Sequence, residues 1–386
     1  MSRRYLAVSV ATVVAMGLGA VGAQAETAPL RTHPGQAMTF GIDDQGTLGN
    51  GRPFATALSP VSVGRSLSHA VMVSAHAGHM LGLRRDGVVW GWGANDYGQV
   101  VPGPSIIARP ARITGLPTIA AVDVGGMSSF AVSATGRVYA WGYNGDGELG
   151  LGDTTDRATP TLVPGLTGVV RVSAGLNHAL ALTSDGSVYA WGINDNGQLG
   201  TGSRVSSTRP VKVSGLPAAR AISAGTTHSL AVGTDGSVWA WGDNEYAQLG
   251  DTTFTTRLKP ARSALAGKAK DVSAGDFSSF ALMRSGLIKA WGTNAAGQLG
   301  LGAPGAYIAK PRTVHGIPAA KAVSSGYNHT LAIAKDGTVY GWGAASEGEL
   351  GLGSALPNQQ IPRLIPGISA SAVSAGQFVS VVIALR

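Results

Sequence analysis

The dipeptide Trp-Gly returns along this chain with a nearly fixed step. Trp92, Trp141, Trp191, Trp241, Trp291 and Trp342 are separated by 49, 50, 50, 50 and 51 residues, and a degenerate seventh copy begins at Phe40-Gly41. Other positions keep the same phase. Leucine stands eight residues after the aromatic at Leu48, Leu149, Leu199, Leu249, Leu299 and Leu350, with Val100 in the remaining copy, and glycine follows each leucine. Asparagine stands three residues after the tryptophan at Asn95, Asn144, Asn194, Asn244 and Asn294, and proline follows 18 to 20 residues after the aromatic in all seven copies, from Pro60 to Pro362. A period of this length restricts the chain to repeat architectures, in which each unit covers the apolar face of the next.

Within one copy the periodicity is two rather than 3.6. In the third full-length pattern, Val169 to Ala174 reads as a strand, Gly175-Leu176-Asn177 as a tight turn and His178 to Leu182 as a second strand. Asp185-Gly186 predicts a two-residue hairpin of type I′, Ser187 to Trp191 a third strand, and Thr208 to Val213 a fourth after a long polar loop. Pro210 has no amide to give a ladder, so the fourth strand belongs at a sheet edge. The 57 glycines and 19 prolines agree, because each in a helix interior costs about 1 and about 3 kcal/mol respectively.

Seven small twisted sheets in tandem, each unable to cover its own faces, pack radially as an all-β, seven-bladed β-propeller. The chain ends supply a separate argument. Residues 372–375 and 379–385 match the first two strands of a repeat, whereas residues 38–41 and 59–61 match the third and fourth. Together they make a seventh blade of four antiparallel strands, closed by the N- and C-terminal segments, which removes the open edges.

The pattern Ala-Gly-x-x-His, Asp-Gly-x-x-Tyr/Trp-x-Trp-Gly-x-Asn-x-x-Gly-Gln-Leu-Gly resembles the repeats of the regulator of chromosome condensation (RCC1) family, over about residues 37 to 386. The resemblance implies a seven-bladed propeller, in agreement with the strand pattern. It leaves function open, because propellers of this kind serve as nucleotide-exchange factors, chromatin binders, photoreceptors and secreted inhibitors. The repeat spacing leaves no room for the inserted hairpin that exchange factors use, so guanine-nucleotide exchange is the weakest of the functions the family implies.

Several chemistries are set aside by composition and motif. Without cysteine there is no disulfide framework, thiolate zinc site or cysteine nucleophile. No Walker sequence, Gly-x-Ser-x-Gly elbow or His-Glu-x-x-His occurs. His79, His178, His228 and His329 open the second strands of different blades, too far apart to share one ion, and are expected to pin their hairpins by hydrogen bonds. His76, in place of the turn glycine, has no explanation from the sequence. Asn194-Asp195-Asn196-Gly197 resembles the start of a calcium loop, but Val205 stands where the closing glutamate is needed, so a turn is expected. The tryptophans, with Trp90, Tyr139, Tyr189, Trp239 and Tyr340 two residues earlier, are expected to pack between blades. No metal or cofactor is expected.

Residues 1–25 read as an export signal: Arg3-Arg4, an apolar run from Tyr5 to Val21, and the small-x-small site Ala23-Gln24-Ala25. The expected product is a single propeller over residues 26–386, secreted or held in the periplasm or cell envelope, by a Sec or Tat route. No membrane span is expected after cleavage, and a monomer is.

An up-down-up-down blade puts its first turn and its long third loop at the same end. That end collects Tyr97, Tyr143, Tyr246, Phe277, Tyr327 and Phe378, with Phe254 and Tyr307, as a candidate binding surface. The edge strands carry Arg109, Arg112, Arg209, Lys212, Lys259, Arg262, Lys310, Arg312 and Arg363 within two residues of their proline. Such a rim blocks sheet-to-sheet pairing or meets an anionic polymer. The loop carboxylates Asp146, Asp153, Asp156, Asp195 and Glu245 yield no catalytic pair. The resulting expectation is a secreted, non-enzymatic protein whose loop-rich face binds a macromolecule, either a protein or an anionic cell-surface polymer rather than nucleic acid. Two other functions remain: a secreted enzyme inhibitor resembling the β-lactamase-inhibiting propeller, and a hydrolase of surface polysaccharide.

Overall fold

A computed structural model describes residues 35–303 and 305–385 of the chain. The expected export signal, residues 1–25, lies outside them. Apart from a 3-10 turn at Arg65–Leu67, every regular element among the described residues is a strand. The strands form five four-stranded antiparallel sheets and one of seven strands. That larger sheet is two blades joined by a single strand, Gln359–Ala375. Its first part pairs with Thr338–Gly343 as the outer strand of one blade, and its last part pairs with Val379–Ala384 as the inner strand of the next. Val379–Ala384 pairs in turn with Gln36–Asp43, and that strand with Ala55–Ser62. The two chain ends therefore share one blade, and the propeller has seven. Blades 1 to 6 cover residues 70–112, 119–162, 169–212, 219–262, 269–313 and 320–364, and blade 7 combines 370–384 with 36–62.

Blade 3 shows how the sequence makes each sheet. Its strands are Val169–Ala174, His178–Thr183, Val188–Gly192 and Ser207–Lys212. The hairpin between the second and third strands is not type I′. The Gly186 amide donates to the Thr183 carbonyl at 2.9 Å, and Gly186 has φ +84 while Asp185 is not left-handed. A type I′ turn needs positive φ at both central residues. One left-handed glycine closing a four-residue turn is instead the three-residue hairpin with a glycine bulge, in which Asp185 caps the turn by accepting the Ser187 amide at 3.0 Å.

The proline of the outer strand sits in an interruption of the ladder. Ala190 pairs with Val211 and Gly192 with Ser207, so three residues including Pro210 face Trp191 alone. Blade 4 repeats this between Ala261 and Arg257. The missing amide falls where no ladder bond is required. The neighbouring blade covers part of the same edge: the Gly202 amide donates to the Leu258 carbonyl at 2.8 Å.

The apolar core is divided among the blade interfaces. Leu180, Leu182 and Val188 of blade 3 pack with Ile222, Ala231 and Trp241 of blade 4, and equivalent clusters recur around the ring. All six Trp-Gly tryptophans are fully buried. The indoles of Trp92, Trp191, Trp241, Trp291 and Trp342 donate to carbonyls in the long loop of the preceding blade, such as Trp241 Nε1 to Gln198 O at 2.8 Å. This explains the Leu-Gly pair. Gly200 has φ +68, and a Cβ there would lie 2.9 Å from Trp241 Nε1. The copy that reads Val100-Val101 is the one whose following tryptophan, Trp141, leaves its indole nitrogen without a partner.

The inner strands are stitched into a ring by one side chain per blade. Ser74, Asp123, Ser173, Ser223, Ser273, Ser324 and Ser374 each accept a backbone amide from the inner strand of the following blade, at 2.9 to 3.2 Å. Arg171 of blade 3 and Asp271 of blade 5 form an ion pair at 3.2 Å across the channel these strands enclose.

The buried histidines make a second set of ties. His178 Nε2 lies 3.0 Å from Ser229 Oγ of blade 4, and Ser229 Oγ at its equivalents donates to a loop carbonyl, here Gln198 O at 2.8 Å. Because the hydroxyl proton is committed to that carbonyl, Nε2 must be the donor to the serine. His79, His228 and His329 repeat the chain through Ser129, Ser279 and Ser380. The expected hydrogen bond thus exists, but it joins neighbouring blades instead of pinning a single hairpin. Burial drives the imidazole pKa to about 3 at His79, His178 and His228 and to about 4 at His329.

Candidate binding face

The first turns of the blades and their long loops meet at one end of the ring. The long loops of blades 1 to 5 are each held by an asparagine, as in blade 3: Asn194 Oδ1 accepts the Leu199 amide at 2.9 Å, and Nδ2 donates to the Ser203 carbonyl at 2.9 Å. With that side chain spent inside the loop and Gly197 closing a turn on the Asn194 carbonyl, the segment is a turn. These bonds support the side chains that the loops carry.

They carry aromatic rings in contact. Tyr246, from the long loop of blade 4, lies 4.7 Å from Phe277, in the first turn of blade 5. Tyr307 lies 5.6 Å from Tyr246 and 6.1 Å from Phe254. Tyr307 is not in a loop, as the sequence pattern implies, because the outer strand of blade 5 is extended to Gly305–Thr313 and pairs back to Asn294. Tyr327 and Phe378, in the first turns of blades 6 and 7, are 6.3 Å apart. Tyr97 and Tyr143 form a separate edge-on pair at 4.9 Å between blades 1 and 2. Phe254, Tyr307, Tyr327 and Phe378 remain exposed, at 56%, 47%, 40% and 39%.

One residue at the centre of this surface carries no signal within a single repeat. Asp276 occupies the position in its turn that Thr226 holds in blade 4 and Tyr327 in blade 6. Aligning the repeats and reading across them brings these three together. The hydroxyls of Thr226 and Tyr327 sit against the Asp276 carboxylate, which is buried, and burial pushes its pKa up to about 6. Among the described residues no Lys, Arg or His forms a salt bridge with it. The carboxylates around Tyr246 raise its hydroxyl pKa, Glu245 most, with burial and then Tyr307, Asp243 and Asp276 adding to it.

The loop carboxylates of blade 2 hold that loop and tie it to the first turn of blade 3. Asp153 pairs with Arg157 at 2.7 Å, Asp156 accepts the Asn144 amide at 2.8 Å, and Asp146 accepts from Asn177 at 2.8 Å. Glu148, passed over in the sequence, is buried with its pKa pushed to about 8, chiefly by desolvation and further by Asp146 and Asp156. It accepts the Asp146 amide at 2.9 Å, the bond that Gln198 and Gln248 make in their own copies. A protonated carboxyl here does the work of a carboxamide.

The basic rim lies on a different surface, the outer edge of the blades. Arg109, Arg112, Arg209, Lys212, Lys259, Arg262, Lys310, Arg312 and Arg363 are all exposed. Among the described residues none of them forms a salt bridge. Arg112, Lys212 and Arg262 stand opposite Trp90, Tyr189 and Trp239 in the ladder, and Arg109, Arg209 and Lys259 lie over Gly51, Gly152 and Gly202 of the preceding blade. The structure does not bring rim and aromatic residues into one site. Among the described residues no three His, Asp or Glu side chains are grouped as a metal ion would require.

The RCC1-like domain model matches residues 19–264 and 166–385. The chain is 42% identical to human probable E3 ubiquitin-protein ligase HERC3 over 94 residues, 23% of this chain and 9% of that protein. It is 31% identical to the ultraviolet-B receptor UVR8 of Arabidopsis thaliana over 134 residues, 33% of this chain and 30% of the receptor. The matches thus span less than a third of the length of these relatives. Among solved structures, Prp20p of Saccharomyces cerevisiae superposes with a TM-score of 0.83 at 24% identity, covering 92% of this chain and 93% of the other. At that identity the likeness shows a shared fold.

Proposed function

The chain belongs to the RCC1-like domain family, and on that premise we propose that it is a non-enzymatic scaffold that binds another protein through its loop-rich end. The observation that carries this reading is the two groups of contacting aromatic rings contributed by blades 4 to 7, with Phe254, Tyr307, Tyr327 and Phe378 exposed. Interfaces concentrate their energy in a few aromatic and arginine anchors, and rings preset by mutual contact lose little conformational freedom on binding. The long loops of blades 4 and 5 are tied by the buried Asn244 and Asn294, so this part of the surface is formed before any partner arrives. Prp20p, a propeller of the same fold, is described together with its binding to Gsp1p and histones, which supports a protein as the class of partner. Asp153 and Asp156 of blade 2 hold their own loop and Asp146 ties it to blade 3, which supports a non-catalytic role. With residues 1–25 read as an export signal, the proposal includes a location for this surface outside the cytoplasm.

Photo-crosslinking tests the proposal. A benzophenone side chain at Tyr307 should capture a protein partner from extracellular and envelope fractions, whereas the same group at Asp185, on the short-turn end, should not. Capture from Asp185 alone would overturn the assignment of the loop end.

A further inference from the structure

Resting on the loop-end reading, we infer that the surface around Asp276 is a receptor for a single cationic side chain, an arginine or lysine presented by the protein partner. The chain as a whole carries a formal charge of +8, yet this patch is acidic. Asp276, Asp243 and Glu245 come from adjoining elements of blades 4 and 5, and among the described residues none of them has a salt-bridge partner. Asp243 is held by the Gln248 side chain at 2.9 Å, and Glu245 is exposed at the mouth of the patch.

The rings around these carboxylates suit the same ligand. Tyr246 is in contact with both Phe277 and Tyr307, with interplanar angles of 47° in each pair, so their faces are tilted toward one another rather than stacked flat. Tilted aromatic faces beside carboxylates attract a cation through both ring quadrupole and charge, and the attraction grows when the cation leaves water. An anionic partner would meet three carboxylates, and an uncharged apolar one would bury Asp276 further without neutralising it, at the cost of a desolvated charge. Tyr327 and Thr226 donate to Asp276 and so orient its carboxylate beside the rings.

The test uses the full chain and small probes. NMR titration with Nα-acetyl-arginine methylamide should shift the resonances of Tyr246, Phe277, Tyr307 and Tyr327 in a saturable manner. The citrulline counterpart, equal in shape but uncharged, should bind at least about tenfold more weakly. Asp276→Asn should remove that preference, and Glu245→Gln, an exposed change that leaves the fold untouched, should reduce it. Equal binding of arginine and citrulline probes would overturn the cation assignment while leaving the loop-end reading in place. Shifts confined to other parts of the chain would overturn it as well. Loss of crosslinking from Tyr307, by contrast, bears on the loop-end reading itself.

Discussion

The backbone amide of Ala75 donates to Ser374 Oγ at 3.0 Å, joining inner strands of blades 1 and 7 that are 299 residues apart in the chain. It completes the ring of seven such bonds, and it does so through a blade whose outer half is the amino-terminal segment 36–62. Removing residues 1–64 should therefore leave Val379–Ala384 with an open edge and abolish a single cooperative melting transition. The check is calorimetry of the truncated chain. An unchanged transition would mean that the ring does not depend on closure.

The histidine chains make stability fall in acid. His178 titrates near 3 in the fold and near 6.5 when unfolded, so the unfolded chain binds its proton first. The stabilisation from the neutral buried ring is complete above about pH 6.5 and is lost as pH falls toward 3. His178→Ser, which installs the residue found at Ser128 and Ser278, should cost about 1–3 kcal/mol at pH 7 and make the acid slope shallower by roughly one proton. Urea melts between pH 4 and 7 measure both.

Glu148 acts with the opposite sign. Its folded pKa is raised from 4.5 to about 8, so its contribution is present below about pH 4.5 and is lost as pH rises through 8. Glu148→Gln supplies the same acceptor without a charge, as Gln198 does in its own copy. The variant should be more stable than the parent at pH 9 by about 4–5 kcal/mol and nearly equal to it at pH 4. A uniform loss at both values would show that the carboxyl does more than replace an amide.

Gly200→Ala should destabilise the fold through both its backbone and its neighbour. The new Cβ meets the Trp241 indole at 2.9 Å on a backbone with φ +68. Strain and overpacking together predict a loss of about 2–4 kcal/mol. Gly215→Ala, with nothing within 4 Å of its Cβ but φ +77, isolates the backbone part and should cost less.

The propeller was legible because each structural demand is written again in most of the seven copies. Leu199-Gly200 and its equivalents mark a loop that must pass under a tryptophan, and Pro210 marks the strand with a gap in its ladder. Details that two geometries satisfy equally were not legible. Asp185-Gly186 suits both a type I′ turn and a glycine bulge, and only the left-handed φ at Gly186 alone decides between them. The candidate site was half legible, since Tyr246, Phe277 and Tyr327 could be placed at one end. Asp276 could not, because its neighbours Thr226 and Tyr327 lie about 50 residues away on either side and meet it only when the blades stand next to each other. Tyr307 reaches Tyr246 through a strand that begins earlier than its counterparts, which the repeat pattern does not encode.

The central claim is that the loop-end rings hold a protein partner, and its most direct test is a titration of the partner captured from Tyr307 against two variants. Replacing Tyr246, Phe277 and Tyr327 by alanine together should weaken binding by about thirtyfold or more, since one true anchor is worth about 2 kcal/mol. Reversing Arg209, Lys212, Lys259 and Arg262 to glutamate should leave the affinity within about threefold of the parent, because the rim lies on another surface. If the aromatic variant binds at parental strength while the rim variant fails, the account is contradicted and the partner is held by the outer edge of the blades.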